Sequence, residues 1–307
     1  MKIVQTFWSC DSKNLQELKN FRSGWLSNCH HYMGWAYSCL QLGKFYDEVE
    51  LVTDELGKQL LIDELELPYT SVKVILDDAL ADCPWHFWAT SKIISYKNQD
   101  KPFLHVDGDI FISKPFDKQI ESAQIVSQNL ESDFECYHVV MNEVKKINKY
   151  VPEEILADNE ITHQILASNM GIFGGNDIDF IHKFADEALK FSKAYYDFSN
   201  EKTLWHFNCV FEQYLLYCMA KKDEVEIEYF LNPTYFFEDY LPISRFNNKG
   251  TNDLNYVHLL GYHKKMLSKC NTLSDVLKRD YPFYYNKANQ IIGEKSKFKH
   301  FLSSIKL

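Results

Sequence analysis

The run Phe103-Leu104-His105-Val106-Asp107-Gly108-Asp109-Ile110-Phe111-Ile112 carries the clearest chemistry in the chain. An apolar segment ends at two carboxylates separated by one glycine, and a second apolar segment follows. Carboxylates this close repel one another and call for a cation between or beside them. Their oxygens suit Mg²⁺ or Mn²⁺, ions that also take diphosphate oxygens. Gly108 leaves out a side chain where a ligand would have to approach. Asp-Gly between apolar runs is also a β-hairpin turn, so the run has a purely structural reading beside the chemical one.

Four further groups could act with this pair. Lys92 shares a helical stripe with Trp85, Trp88, Ala89, Ile93 and Tyr96. A lysine on such a face needs an anionic partner, Asp107/Asp109 or a phosphate, unless it snorkels to the stripe's edge. Ser168-Asn169-Met170-Gly171-Ile172-Phe173-Gly174-Gly175-Asn176 offers the Asn169 amide and three glycines that would let the backbone reach a ligand's hydroxyls. It reads equally as a strand closed by Gly-Gly. Glu212 and Gln213 stand in an aromatic helix, where polar groups need partners if buried. They are either a surface pair or, beside a sugar's anomeric carbon, a base or a stabiliser of an oxocarbenium-like transition state. His258, Gly261 and Lys264 follow the spacing H-x-x-G-x-x-K. The imidazole could complete a metal's ligand set, the glycine permits close backbone approach, and the lysine could neutralise a leaving diphosphate, although a lone histidine is usually no ligand.

The elements that must position these groups alternate. Lys2–Trp8, Val49–Thr53, Val72–Leu76 and Phe103–Val106 read as strands, rich in the residues of centrally placed, doubly covered strands. His30–Leu42 and Trp85–Tyr96 read as helices between them, the first stopped by Gly43. Two longer helices follow, over about Asp179–Tyr196 and Leu204–Ala220. The alternation predicts an α/β fold, a mostly parallel sheet with helices on both faces, whose ligands bind at the carboxyl ends of the strands. The expected organisation is one domain over 1–265 and a helical C-terminal extension over 266–307.

Composition narrows the partners. The 307 residues are 46% hydrophobic and 15% aromatic, enough for a sizeable core and for rings that could stack on a base or sugar. A net charge of −10 argues against nucleic acid but not against a nucleotide, because one metal and a few local cations can offset a diphosphate. The eight cysteines form no C-x-x-C pair and are expected reduced and mostly buried, as in a cytoplasmic protein. No apolar run approaches the ~18 residues of a membrane span, and Met1–Trp8 lacks a signal peptide's apolar core. The tail after Gly293 carries Lys295, Lys297, Lys299 and Lys306, which suit peripheral contact with an anionic membrane or simple solvation.

Taken together the motifs resemble GT-A glycosyltransferases, especially family 8, the glycogenin and lipopolysaccharide-galactosyltransferase group. That family's Asp-x-Asp after an apolar strand is matched by Asp107-Gly108-Asp109, and its basic residue in the preceding helix by Lys92. Its Asn-x-Gly strand is matched by Asn169-Met170-Gly171, its Asp-Gln pair by Glu212-Gln213, and its His-x-x-Gly-x-x-Lys by His258, Gly261 and Lys264. Glu stands at 212 where the family has Asp, and Lys265-Met266 where it has Pro-Trp. The resemblance implies a GT-A fold and Mn²⁺ or Mg²⁺ on Asp107, Asp109 and His258. It implies a nucleotide-sugar donor, a UDP-sugar, with Lys264 on its diphosphate and Thr6, Phe7 and Trp8 beside its base. A saccharide or other hydroxyl compound would be the acceptor, with its specificity in Tyr229–Tyr240 and the extension. Two rival readings are nucleotidyl transfer, which wants a glycine-rich loop where Ser9-Cys10-Asp11-Ser12-Lys13 stands, and metal-independent carbohydrate binding.

Overall fold

A computed structural model of the chain describes residues 1–161, 164–198, 206–231 and 240–292. Nine strands are present among these residues: β1 (Lys2–Phe7), β2 (Val49–Thr53), β3 (Ser71–Val74), β4 (Phe103–Val106), β5 (Ile110–Ile112), β6 (Ile125–Ser132), β7 (Leu166–Gly175), β8 (Ile227–Tyr229) and β9 (Tyr256–His258). Seven of them form one sheet in the order β3-β2-β1-β4-β7-β6-β8. Strands β3, β2, β1 and β4 are mutually parallel, as are β6 and β8. Strand β7 runs antiparallel to both β4 and β6, a reversal the sequence did not announce. The fold is therefore α/β with a mostly parallel sheet, as expected.

Alternation of side chains across the pleat explains why helices cover both faces. Val4, Val52, Phe103, Ile125 and Phe173 point into one core, with the helices Ala89–Lys97 and Ile178–Lys193 and the stretch Val210–Ala220. Ile3, Val49, Leu104, Val106, Val126 and Ile172 point into another, with Leu42 and Tyr46. Beside it, Phe7 and Leu51 join the helix Asn28–Leu42 and the C-terminal helices Leu267–Asp280 and Pro282–Ile292. Each fully buried Val, Leu, Ile or Phe contributes about 1.5–3 kcal/mol, so these layers hold the sheet rigid beneath its loops.

The structure adjusts several expected elements. The helix expected from Trp85 begins at Ala89; Trp85 and Trp88 lie in the turns before it, half exposed. The helix expected from His30 begins at Asn28, because the Ser27 hydroxyl accepts the His30 amide as an N-cap. Gly43 closes it in a right-handed conformation, not the left-handed one a terminal glycine suggests. Strand β3 stops at Val74, and Leu76 opens a helical turn. All eight cysteines are unpaired; Cys39, Cys218 and Cys270 are buried and the other five only half-buried. The tail lysines, Leu204 at the start of one expected helix, and 232–239 of the expected acceptor segment lie outside the described residues. No helix among the described residues is long and apolar enough to cross a membrane.

Strand β7 ends on Gly174 and Gly175 between two neighbours. At Gly174 φ is +149°, and a Cβ would lie 2.1 Å from the Phe103 carbonyl oxygen. Gly174→Ala is expected to destabilise the protein by about 2–4 kcal/mol, because it adds a backbone clash to a strained φ. Urea denaturation monitored by circular dichroism would measure the loss.

Candidate functional site

At Asp107 the chain leaves the large sheet, and the strand that follows, β5, is not part of it. Strand β4 pairs with β1 and β7, whereas β5 pairs with β9 in a separate two-stranded antiparallel sheet. The apolar runs flanking Asp-Gly-Asp are thus not the arms of a hairpin. The Asp107 amide donates to Gly171 O at 3.0 Å and the Ile110 amide to Asp107 O at 3.1 Å, which turns the chain between the sheets. In the small sheet Ile110 stands opposite His258, and the Leu259 amide donates to Asp109 O at 3.1 Å. This register brings an imidazole, almost 150 positions along the chain, against the carboxylates. Donor atoms of Asp107, Asp109 and His258 all lie within 4.8 Å of one another.

A cation serves each carboxylate. Lys264 Nζ is 2.5 Å from Asp109 Oδ2, and His258 Nε2 is 3.4 Å from Oδ1. The Gly261–Lys265 3₁₀ turn, opened by Gly261 in the left-handed region, carries Lys264 to this place. Burial works to raise the Asp109 pKa, but Lys264 and His258 outweigh it and hold the group well below the ordinary carboxylate range. At Asp107 burial prevails: its pKa is raised although Lys92 opposes the shift. Lys92 lies in the core, 3.2 Å from Asp107 Oδ1, 2.8 Å from Glu212 Oε1 and 3.1 Å from the Met170 carbonyl. It does not snorkel. Burial disfavours its charge, yet Asp107 and Glu212 raise its pKa well above the usual value.

Glu212 is fully buried, so it is no surface residue. It sits in a π-helical turn, Cys209–Tyr214, whose extra residue per turn aims the carboxylate at Lys92. Burial pushes its pKa up to about 7, and its Oε2 has no hydrogen-bond partner. Gln213 accepts from the Tyr137 hydroxyl at 2.8 Å. The Asn169 amide donates to Glu131 at 2.7 Å and accepts from the Gly171 amide at 3.0 Å. Glu131 also accepts from the hydroxyls of Tyr137 and Tyr240, a buried cluster that its sequence neighbours do not signal. The Asn169 amide and the Gln213 side-chain carbonyl are thus engaged within the protein.

The ion cluster forms the polar end of a cavity of about 860 Å³. Thr6, Phe7, Trp8, Lys92, Asp107, Gly108, Asp109 and Lys264 line it, whereas Asn169, Gly171, Glu212, Gln213, His258 and Gly261 do not. Five of the six tryptophans, Trp8, Trp25, Trp35, Trp85 and Trp88, also line it. Trp35 underlies the carboxylate pair: a Cβ on Gly108 would sit 2.6 Å from its ring, so the glycine is required by that indole. Trp35 Nε1 donates to His31 Nε2 at 3.0 Å, and burial lowers the His31 pKa to about 3, which keeps the ring neutral and able to accept. Arg22, Lys92, Lys264 and Lys265 place cations on the wall of an acidic protein. Residues Arg22, Trp25 and His31 gave no motif in the sequence; they reach the site only through folding.

Removing one partner from a buried ion cluster strands the others. Lys92→Met is expected to destabilise the protein by about 3–5 kcal/mol, through the uncompensated Glu212 and Asp107. Lys92→Met combined with Glu212→Leu is expected to lose clearly less. A double-mutant cycle by chemical denaturation measures the coupling, and additive losses would contradict it.

No curated protein matches the sequence. Solved structures similar to the chain include three glycosyltransferases. PaToxG glycosyltransferase is 11% identical with a TM-score of 0.38, over 72% of this chain and 69% of that one. Mouse xyloside xylosyltransferase 1, in its apo form, is 10% identical with a TM-score of 0.41, over 84% of this chain and 96% of that one. The galactosyltransferase LgtC, in complex with donor and acceptor sugar analogs, is 11% identical with a TM-score of 0.39, over 98% of this chain and 99% of that one. Likeness at this level carries no argument about activity. A family model takes in residues 1–291, and the chain belongs to that family, the family of unknown function DUF6734.

Proposed function

We propose that the protein is a metal-dependent glycosyltransferase of GT-A type that moves a sugar from a nucleoside-diphosphate sugar, a UDP-sugar, to a hydroxyl acceptor such as a saccharide. One observation carries the reading: Asp107, Asp109 and His258 converge within 4.8 Å at the polar end of an aromatic cavity flanked by Lys92 and Lys264.

The donor set fits a divalent ion. Two carboxylates and one imidazole suit Mn²⁺ or Mg²⁺, and His258 Nε2 and Asp109 Oδ1 face each other at 3.4 Å, two acceptor atoms when the ring is neutral. Such an ion, held by these three residues, would supply Lewis-acid stabilisation of a diphosphate leaving group. The chain's own groups then divide the remaining work. Lys264, on Asp109 in this structure, is long and only partly buried, so it can transfer its charge to a diphosphate. Lys92 stays in place, because Glu212 and the Met170 carbonyl hold it, and keeps a fixed positive charge beside Asp107. Glu212 in this arrangement acts through Lys92, not on an anomeric carbon. Thr6, Phe7 and Trp8, at the end of β1, offer a wall for the base, while Trp85 and Trp88 leave half-exposed rings for a sugar's apolar face.

Thermal-shift titration with nucleoside diphosphates and their sugars tests the reading. UDP with Mn²⁺ at one hundred times its Kd is expected to add about 2.7 kcal/mol of stability. Asp109→Asn is expected to abolish the Mn²⁺-dependent shift and UDP-sugar turnover while the fold persists. Unchanged turnover in that variant would exclude the scheme. Pyrophosphate release from a nucleoside triphosphate would favour nucleotidyl transfer, and sugar binding indifferent to Mn²⁺ would favour a non-catalytic protein. Lys264→Met separates the two duties of that lysine: it is expected to tighten Mn²⁺ binding without nucleotide, by freeing Asp109, and to weaken UDP binding about tenfold or more, through loss of a charge-assisted contact. Isothermal titration of each ligand would measure both.

A further inference from the structure

Behind the candidate metal ligands lies a residue that no motif marks. Gln128, fully buried on β6, places Oε1 2.6 Å from His258 Nδ1 and 2.6 Å from the Tyr256 hydroxyl. Its Nε2 donates to Asn129 Oδ1 at 2.9 Å, and Asn129 Nδ2 in turn donates to the Leu130 carbonyl at 3.3 Å. The Leu130 carbonyl can only accept, so each amide in the chain has its orientation set by the next. Gln128 therefore presents its carbonyl oxygen, and His258 must answer with Nδ1–H. A neutral ring in that form carries its lone pair on Nε2, the atom that faces Asp109.

The sheet is deformed where this happens. Ser127 pairs with Phe173 and Asn129 with Asn169, so Met170, Gly171 and Ile172 stand opposite Gln128 alone. An irregularity of this kind re-aims a side chain, and such features gather beside functional sites. At its centre a Cβ on Gly171 would lie 2.4 Å from Gln128 Oε1 and 2.6 Å from His258 Cε1. Gly171 thus serves the glutamine–histidine contact by leaving it room.

We infer that Gln128 is a positioning residue for the candidate metal centre: its side-chain carbonyl locks His258 in the Nδ1–H form and turns Nε2 toward Asp109. The inference rests on the metal reading above. Outer partners of this kind change metal affinity by about 10–100-fold when removed.

The test compares wild type with Gln128→Met, which keeps the volume but not the acceptor, and Gln128→Glu, which keeps the acceptor. Free Mn²⁺ measured by electron paramagnetic resonance gives the affinity. Long-range ¹H–¹⁵N spectra of the metal-free protein give the tautomer, with the His258 signals assigned from a His258→Asn variant. Gln128→Met is expected to lose the Nδ1–H pattern and to bind Mn²⁺ about 10–100-fold more weakly. Gln128→Glu is expected to keep both the pattern and, within a few-fold, the affinity, which separates lost orientation from lost fold. Gln128→Met with the wild-type pattern and affinity would overturn this inference alone. A wild type that binds no Mn²⁺ would overturn the metal reading and this inference together.

Discussion

Two carboxylates one residue apart, brought out of bulk water, set the terms for the rest of the site. Their mutual repulsion must be balanced, and the balance here is unequal. Asp107 is served from the core by Lys92, Asp109 from the opposite side by Lys264 and His258. The two groups accordingly shift in opposite directions, Asp107 toward protonation and Asp109 away from it. Lys92 is itself buried and would be costly without Glu212, which explains an acidic side chain in the middle of an apolar helix. The charge is distributed so that the inner cation is fixed and the outer one is free to be exchanged.

The division into two sheets is the device that makes this arrangement possible. A hairpin at Asp-Gly-Asp would have turned the second strand back along the first and left the carboxylates on an exposed loop. Instead β4 ends in the large sheet, and β5 begins a small one with β9. Because the ladder sets Ile110 opposite His258, the imidazole arrives with a defined height and direction, and Gln128 sets its rotation. Strands on either side thus fix the short turn that carries both carboxylates, and a strand carries the imidazole.

The aromatic excess divides along the same line. Most Phe and Tyr residues are in the cores, while tryptophans gather at the cavity. Trp35 is a floor beneath Gly108, held by a neutral His31; Trp85 and Trp88 keep half their surface open. Indole suits both tasks, since it packs like a hydrocarbon and also presents a flat face to a ring.

The sequence by itself determined the layer architecture and the identity of the principal charged groups. Apolar runs separated by helical periods specify an α/β sheet, and Asp107-Gly108-Asp109 is legible because its chemistry is contained in three adjacent residues. Lys92 could be suspected, since a charge on an apolar stripe is locally anomalous. Only the tertiary structure decided between hairpin and divided sheets, between snorkelling and burial of Lys92, and between a surface and a core place for Glu212. It also reversed β7 and shortened the helix at Ala89. Gln128, His31 and Glu131 were illegible for one physical reason: a buried polar group is defined by the partner that satisfies it. The partners of Gln128 and Glu131, His258 and Asn169 with Tyr240, lie at separations where sequence periodicity carries no information, while His31 and Trp35 are i,i+4 neighbours on one helix whose pairing only burial reveals.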